Sequence, residues 1–289
     1  MSQIISKKQV LAHNLDERYR PYVNVPFGVR RNEEEIDSGY PLFESLCSIT
    51  ELSCRTREPI NYPVIPDGCV NMVFCFRRRE STGRIYGPVT TLHKLLIKPG
   101  ESYLAFKFVP GSCKAFVECD INELTNSSKP ISEVISGGDE IIEIMGRDIS
   151  LQWKALLMSR ILKAHQTDHE TDYLIRFCVK EMERVHGNIR ISELARRTGF
   201  SERYLGKLFE RCIGLSPKTF AGILRIQNSL HTLFDRRNRS SLLEIAMDCG
   251  YYDHAHMNRA YNNVFQCSSG ALRKRGFNVI EYDDIPEFE

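Results

Sequence analysis

The sequence predicts an α+β chain, with a β-rich barrel or sandwich over residues 1–146 and an all-α region over 172–278. Three observations predict it. Strand-length apolar runs separated by Pro, Gly and Asp turns fill the first half. One short helical pattern occurs twice in the second half. Charge is segregated between the two halves: 171–278 holds 18 Lys+Arg against 10 Asp+Glu, whereas 1–170 holds 21 against 22. At 289 residues the chain is long enough for two domains with ordinary cores.

In chain order, FESLCSIT (43–50) and VNMVFCF (70–76) are the clearest early strands. In the second, Val70, Met72, Phe74 and Phe76 share one face, the period-2 signature of a half-buried strand. HKLLIK (93–98) and SYLAFKF (102–108) flank Pro99-Gly100, which predicts a hairpin, and Leu104, Phe106 and Phe108 point one way. Pro66-Asp67-Gly68 and Pro110-Gly111 read as turns, and short helices are expected near Cys113–Glu118 and Ile131–Ile135. The mouth of such a barrel is a natural pocket for a small effector. A metal-dependent enzymatic barrel would need several histidines and a carboxylate converging from neighbouring strands, and residues 1–140 contain only His13 and His93. No catalytic residue, metal or cofactor is therefore expected.

Residues 149–163 (ISLQWKALLMSRILK) read as an amphipathic helix connecting the halves, with Ile149, Trp153, Leu156, Leu157 and Ile161 on one stripe. That stripe suits either the N-terminal core or a second copy of the chain. The polar run 164–171 is expected to be a linker, and its His165 and His169 pair lacks the acids or thiols that would complete a metal shell.

The duplicated pattern follows. SELARRTGFSERYLGKLFERCIGLSPKTF (192–220) and LEIAMDCGYYDHAHMNRAYNNVFQCSSGAL (243–272) align at a shift of 51 before the turn and 52 after it. In the first copy Ile191, Leu194 and Ala195 form an i, i+3, i+4 stripe, Gly199 ends the helix and Ser201 caps the next. In the second, Ser241 and Glu244 form a capping box, Gly250 closes the first helix, and Met257, Ala260 and Tyr261 mark the inner face of its partner. Each copy is a helix-turn-helix, whose second helix is narrow enough to enter the DNA major groove. The outward residues are Glu202, Arg203, Gly206, Lys207 and Arg211 in one copy, and Asp253, His254, Ala255, Asn258 and Arg259 in the other. Arg and Lys can reach guanine or phosphate, and Asn can pair with adenine. A charged helix face is by default just a solvated one. Two in-register copies inside the basic segment change that balance in favour of DNA.

The landmarks SELARRTGFS, YLGKLFE, GLSPKTF with LRIQ, LLEIAMDCGY and MNRAY resemble the DNA-binding domain of AraC/XylS-family transcription regulators. The resemblance implies seven helices, with a central one linking the two units, here Pro217 to about Phe234. It implies base reading by Arg203, Gly206, Lys207, His254, Ala255, Asn258 and Arg259; Ser201 at the helix entrance and Arg211 complete the candidate DNA-binding set. Gly206 stands where a longer reader is common, and Gln266 and Ser269 where the family often has glycine and proline. A second similarity, over about 19–135, is to a cupin-like N-terminal domain of undefined function found on some of these regulators. Together they imply a transcription regulator in the activator role. Its candidate partners are double-stranded DNA, RNA polymerase, a small-molecule effector and a second copy.

Two rivals differ in class. A DNA-repair alkyl-transfer protein needs a PCHR-type cysteine, and none of the ten cysteines has that setting. A protein-interaction module built on an AraC-like domain would show no sequence preference on DNA. The cysteines have no CxxC pair, so buried free thiols in a reducing cytosol are expected. No membrane-length apolar run or signal peptide is read, which gives a cytoplasmic expectation. The five acids of 279–289 read as a solvated acidic tail.

Overall fold

The structure is a computed structural model that describes residues 19–34, 36, 40, 42–78, 80–166 and 170–288. The N-terminal half is built on a six-stranded antiparallel sheet. Its strands are β1 (Val29–Glu34), β2 (Leu46–Cys54), β4 (Val70–Arg77), β5 (Glu80–Tyr86), β7 (Ser102–Phe108) and β8 (Ser128–Pro130), in the order β1-β2-β7-β4-β5-β8. β3 (Ile60–Val64) and β6 (His93–Ile97) pair antiparallel as a separate two-stranded sheet.

Period-2 alternation gives the large sheet two covered faces. Met72, Phe74, Leu104, Phe106 and Phe108 point into a core closed by α1 (Ile131–Val134), α2 (Gly138–Met145) and α3 (Leu151–His165). Leu52, Val73 and Tyr103 point the other way, against Ile97, Tyr62 and Leu95 of the small sheet.

Four N-terminal expectations change. SYLAFKF does not form a hairpin with HKLLIK: β7 lies between β2 and β4, while β6 pairs with β3, so Pro99-Gly100 carries the chain from one sheet to the other. The alternation in both runs is real, but it cannot say which strand is the neighbour. The strand expected from residue 43 begins at Leu46, because 43–45 turn back on Tyr40 and Leu42. In α3 the buried stripe is Ala155, Met158, Ser159 and Leu162, and Trp153 is 59% exposed. The face that turns inward is the one whose Ala155, Met158 and Leu162 fit the core built by the distant strands, with small Ser159 buried beside them. The linker expected over 164–171 is taken up by helix at both ends, α3 reaching His165 and α4 (Glu170–Arg184) starting at Glu170. His165 bonds the carbonyls of Ile161 and Ser136 at 2.9 and 3.0 Å; His169 lies outside the described residues, as does His13.

The helical half continues with α5 (Ile191–Thr198), α6 (Glu202–Ile213), α7 (Pro217–Phe234), α8 (Leu242–Asp248), α9 (His254–Phe265) and α10 (Ser269–Arg275). α7 spans the expected connector, with Ser216 accepting from the Thr219 amide and Pro217 in the first turn. It belongs to two cores. Phe220, Ala221, Ile223 and Leu224 pack with α4, α5 and α6, whereas Ile226, Leu230 and Leu233 pack with α8, α9 and α10.

The N-terminal half lies against this helix. A Cβ on Gly68, whose φ is +73°, would sit 2.6 Å from the Phe220 ring, so the Pro66-Asp67-Gly68 turn needs glycine for conformation and for clearance. Buried Gln227 donates to the Pro66 carbonyl and accepts from the Tyr22 amide, both at 2.6 Å. The Thr125 hydroxyl donates to the Gly214 carbonyl at 2.6 Å, and the Leu92 amide to that of Val264 at 2.9 Å. Residues 279–288 do not form a solvated tail: Ile280, Ile285 and Phe288 are buried, while the acidic side chains between them face solvent.

Candidate nucleic-acid interface

The first unit is α5, a turn at Gly199 and α6. Gly199 closes α5 in the left-handed conformation, with φ +75°, and its amide bonds the Ala195 carbonyl. α5 is pinned by Glu181 of α4, a buried carboxylate held by Arg197 at 2.6 Å and Arg184 at 3.2 Å. Glu193 accepts from Arg196 and Arg197, and these bonds hold its carboxyl down at about 2. The pairing with Glu193 follows the i, i+3 and i, i+4 spacing, whereas the contact of Arg197 with Glu181, 16 residues away, has no local signal in the sequence.

Ser201 caps α6, accepting from the Tyr204 amide at 3.2 Å, so its hydroxyl serves the helix first. Leu205, Leu208, Phe209, Cys212 and Ile213 form the inner stripe. On the outside, Arg203, Lys207 and Arg211 are exposed, and the space around a Cβ on Gly206 is open to 4 Å. Phe200 and Tyr204 stack with centroids 4.9 Å apart and stay 40% and 39% exposed at the entrance of the helix.

The second unit is α8, a turn at Gly250 and α9. The Ser241–Glu244 capping box is present in full. Asp253 caps α9, and Met257, Tyr261, Val264 and Phe265 form its inner face. Ala260, expected there too, is half-buried beside them. Ala255 and Arg259 are exposed. His254 and Asn258 are placed differently from what base reading asks. The Asn258 carbonyl oxygen accepts from the Ser269 amide at 3.1 Å and from its hydroxyl at 2.7 Å. Its amide nitrogen lies 3.1 Å from His254 Nε2, itself 3.3 Å from the Ser269 hydroxyl. Both side chains are half-buried and tie α9 to the first turn of α10. Ser269 thus does here by hydrogen bonding what a proline at that place would do by its fixed φ. An 11-residue gap between polar side chains carries no periodic signal, so the sequence could not show it.

The two units therefore bring Arg203, Lys207, Ala255 and Arg259 to exposed positions on second helices. Among the described residues no ion pair engages Arg203, Lys207 or Arg259. This defines a double helix-turn-helix protein.

Residues 194–275 match a family described as "Helix-turn-helix domain", and residues 43–130 one described as "Domain of unknown function (DUF6597)". Among curated proteins, the chain is 25% identical over 154 residues to the HTH-type transcriptional regulator MtrA of Neisseria gonorrhoeae, covering 52% of this chain and 49% of that protein. It is 31% identical over 84 residues to an uncharacterized HTH-type transcriptional regulator of Haemophilus influenzae, covering 29% and 28%. The chain thus spans about half or less of the length of the curated relatives it matches. ToxT from Vibrio cholerae O395 overlays 86% of this chain and 97% of its own at 9% identity, with a TM-score of only 0.38. An unsaturated fatty acid-bound ToxT from strain SCE256 gives 12% identity and 0.39, over 81% and 96%. Neither score establishes a shared arrangement. On the family and sequence matches, the chain carries a helix-turn-helix domain over residues 194–275 and is similar there to HTH-type transcriptional regulators.

Proposed function

We propose that the chain is a sequence-specific DNA-binding transcription regulator whose two second helices, α6 and α9, read adjacent major grooves. The observation that carries the reading is the duplication itself: two capped helix-turn-helix units share one helix, α7, and both expose cations on the reading helix. Arg203, Lys207 and Arg259 are the readers of bases and phosphates, and Ala255 offers a methyl to thymine. Ser201, Gly206 and Arg211 flank them on the same face. His254 and Asn258 read a base only if they give up Ser269, so their first role is to set the α9–α10 angle. Backbone contacts supply most of the affinity and make it salt-dependent.

The role is activation, with RNA polymerase as partner, in the cytoplasm, where the DNA is. Among the described residues no helix is long and apolar enough to cross a membrane. The N-terminal half receives the signal. Between its two sheets lies a cavity of about 110 Å³, walled by Leu52, Tyr62, Val73, Tyr86, Leu95 and Tyr103, with Lys107 and Asp67 paired at one end. Burial opposes the charge on Lys107, but the Asp67 carboxylate outweighs it and keeps the ammonium above its ordinary range. Such a site suits a small, largely apolar effector. A second copy of the chain can pair through the exposed Trp153 side of α3. Nothing in the site performs group transfer, and we read the protein as non-enzymatic.

Selection of bound sites from random duplex DNA with the full chain tests the reading. Enrichment of two half-sites about one helical turn apart is the expected result. A pool that stays random at moderate salt would refute it.

A further inference from the structure

The segment that follows α10 is the least expected part of the fold. After a 3₁₀ turn over Gly276–Val279, the chain leaves the second reading unit and runs onto the N-terminal half. There it forms a one-residue bridge on the edge of β6 that β3 leaves open. The Lys94 amide donates to the Pro286 carbonyl at 2.9 Å, and the Phe288 amide donates to the Lys94 carbonyl at 3.0 Å, a parallel bridge centred on Lys94 and Glu287. The Lys94 ammonium reaches back to the Tyr282 carbonyl at 2.7 Å. Phe288 is 7% exposed, packed against His93 and Tyr86 with centroids at 4.8 and 5.0 Å, and its ring lines the cavity between the sheets. At the other end of the segment, Val279, Ile280 and Ile285 belong to the core of the second unit.

The first unit has its own tie to the same half, through the Thr125–Gly214 bond and the ion pair of Arg176 with Glu44 at 3.0 Å. The N-terminal half therefore spans both readers and holds each separately. Two readers joined by one helix alone can adjust by bending that helix or rocking on it; two readers also strapped to a common third body have less freedom.

We propose that residues 281–288 act as a splint strand: seated on the β6 edge, they fix the second reader relative to the first through the N-terminal half, and so set how strictly the spacing between DNA half-sites is read. The inference rests on the DNA-binding reading above. The splint acts through position, and its acidic side chains project to solvent while the apolar ones hold. An occupant of the cavity contests the space of the Phe288 ring, so the same strand links the N-terminal half to the spacing rule.

The test uses the full chain, the Phe288→Ala variant and a chain ending at Ile280, with duplexes carrying the selected site and versions with one base pair inserted or deleted between its halves. Hydrogen exchange at the Lys94 amide reports whether the strand has left its edge. The wild type is expected to bind the altered spacings much more weakly than the selected one. Phe288→Ala should bind the selected spacing comparably, and both variants should recover about tenfold of that loss, the equivalent of 1.4 kcal/mol. An unchanged spacing penalty in variants whose Lys94 amide exchanges freely overturns the splint while leaving DNA reading intact. A Lys94 amide that already exchanges freely in the wild type also overturns it. Absence of any preferred sequence for the wild type sinks the DNA reading, and the splint with it.

Discussion

At the scale of single residues, the structure separates side chains that look alike in the sequence. Arg203, Lys207 and Arg259 stand exposed on the second helices of the two units, whereas Arg196 and Arg197, equally basic and close by, are spent on Glu193 and Glu181. Arg259→Ala is therefore expected to weaken binding to the selected site by 1–3 kcal/mol, roughly, with little effect on random duplex. Equal losses on both, measured by titration at fixed salt, would make Arg259 a phosphate contact. Asn258 differs. Removing its amide leaves the Ser269 amide without its acceptor, so Asn258→Ala should lower thermal stability by about 1–2 kcal/mol besides any loss on DNA. Glu183 sets a pH dependence. Burial raises its carboxyl to about 8, and its Oε1 has no hydrogen-bond partner. Between the ordinary carboxylate range and that value the folded chain holds a proton that the unfolded chain has released, so stability falls as pH rises through this window. Glu183→Gln should flatten the fall and raise the melting temperature at pH 8 by about 2–4 °C. An identical pH profile in the variant would show that Glu183 is not the group responsible.

At the scale of elements, the sequence makes legible what depends on near neighbours along the chain. The caps Ser201, Ser216 and Ser241–Glu244, the turn glycines and the Met257 and Tyr261 positions of α9 all act within four residues, and all are where the periodicity puts them. The pairing of β6 and the rotation of α3 depend on partners far along the chain, and these the pattern could not supply. β5 escapes the pattern for another reason: ESTGRIY is polar, and its Gly83 is there because a Cβ would come within 2.7 Å of Ile131 where the helices cross the sheet. Two helix positions depart from ordinary preference in opposite directions. Gln266 ends α9 with φ +58°, a conformation that suits glycine, while Gly206 sits inside α6 with open space around it. Gln266→Gly and Gly206→Ala should each stabilise the protein, by about 0.5–1 kcal/mol. Denaturant titration checks both. A destabilised Gly206→Ala would mean that α6 does not accept a Cβ at that position.

At the scale of the whole molecule, the division into a β-rich half and a helical half was legible, because segregated charge and a change of period are properties of long stretches. The site was legible in outline. Which cations remain available, and which polar groups are already committed to the protein itself, was decided by packing. The docking of the halves through Gly68, Gln227 and the strand on β6 was not legible, since an interface has no period. Because DNA binding releases counterions, affinity should fall steeply with salt. Arg203→Ala with Lys207→Ala should reduce the slope of log K against log salt by about 0.9 for each phosphate that these cations neutralise. A slope that does not move would place both side chains away from the backbone. One last consequence follows from α7, whose first half completes the core of one unit and whose second half completes the core of the other. The repeat is duplicated in sequence but indivisible in space. Nicking the chain near Ile223 would strip each module of its inner wall, so protease should yield either intact protein or small peptides, with no surviving half.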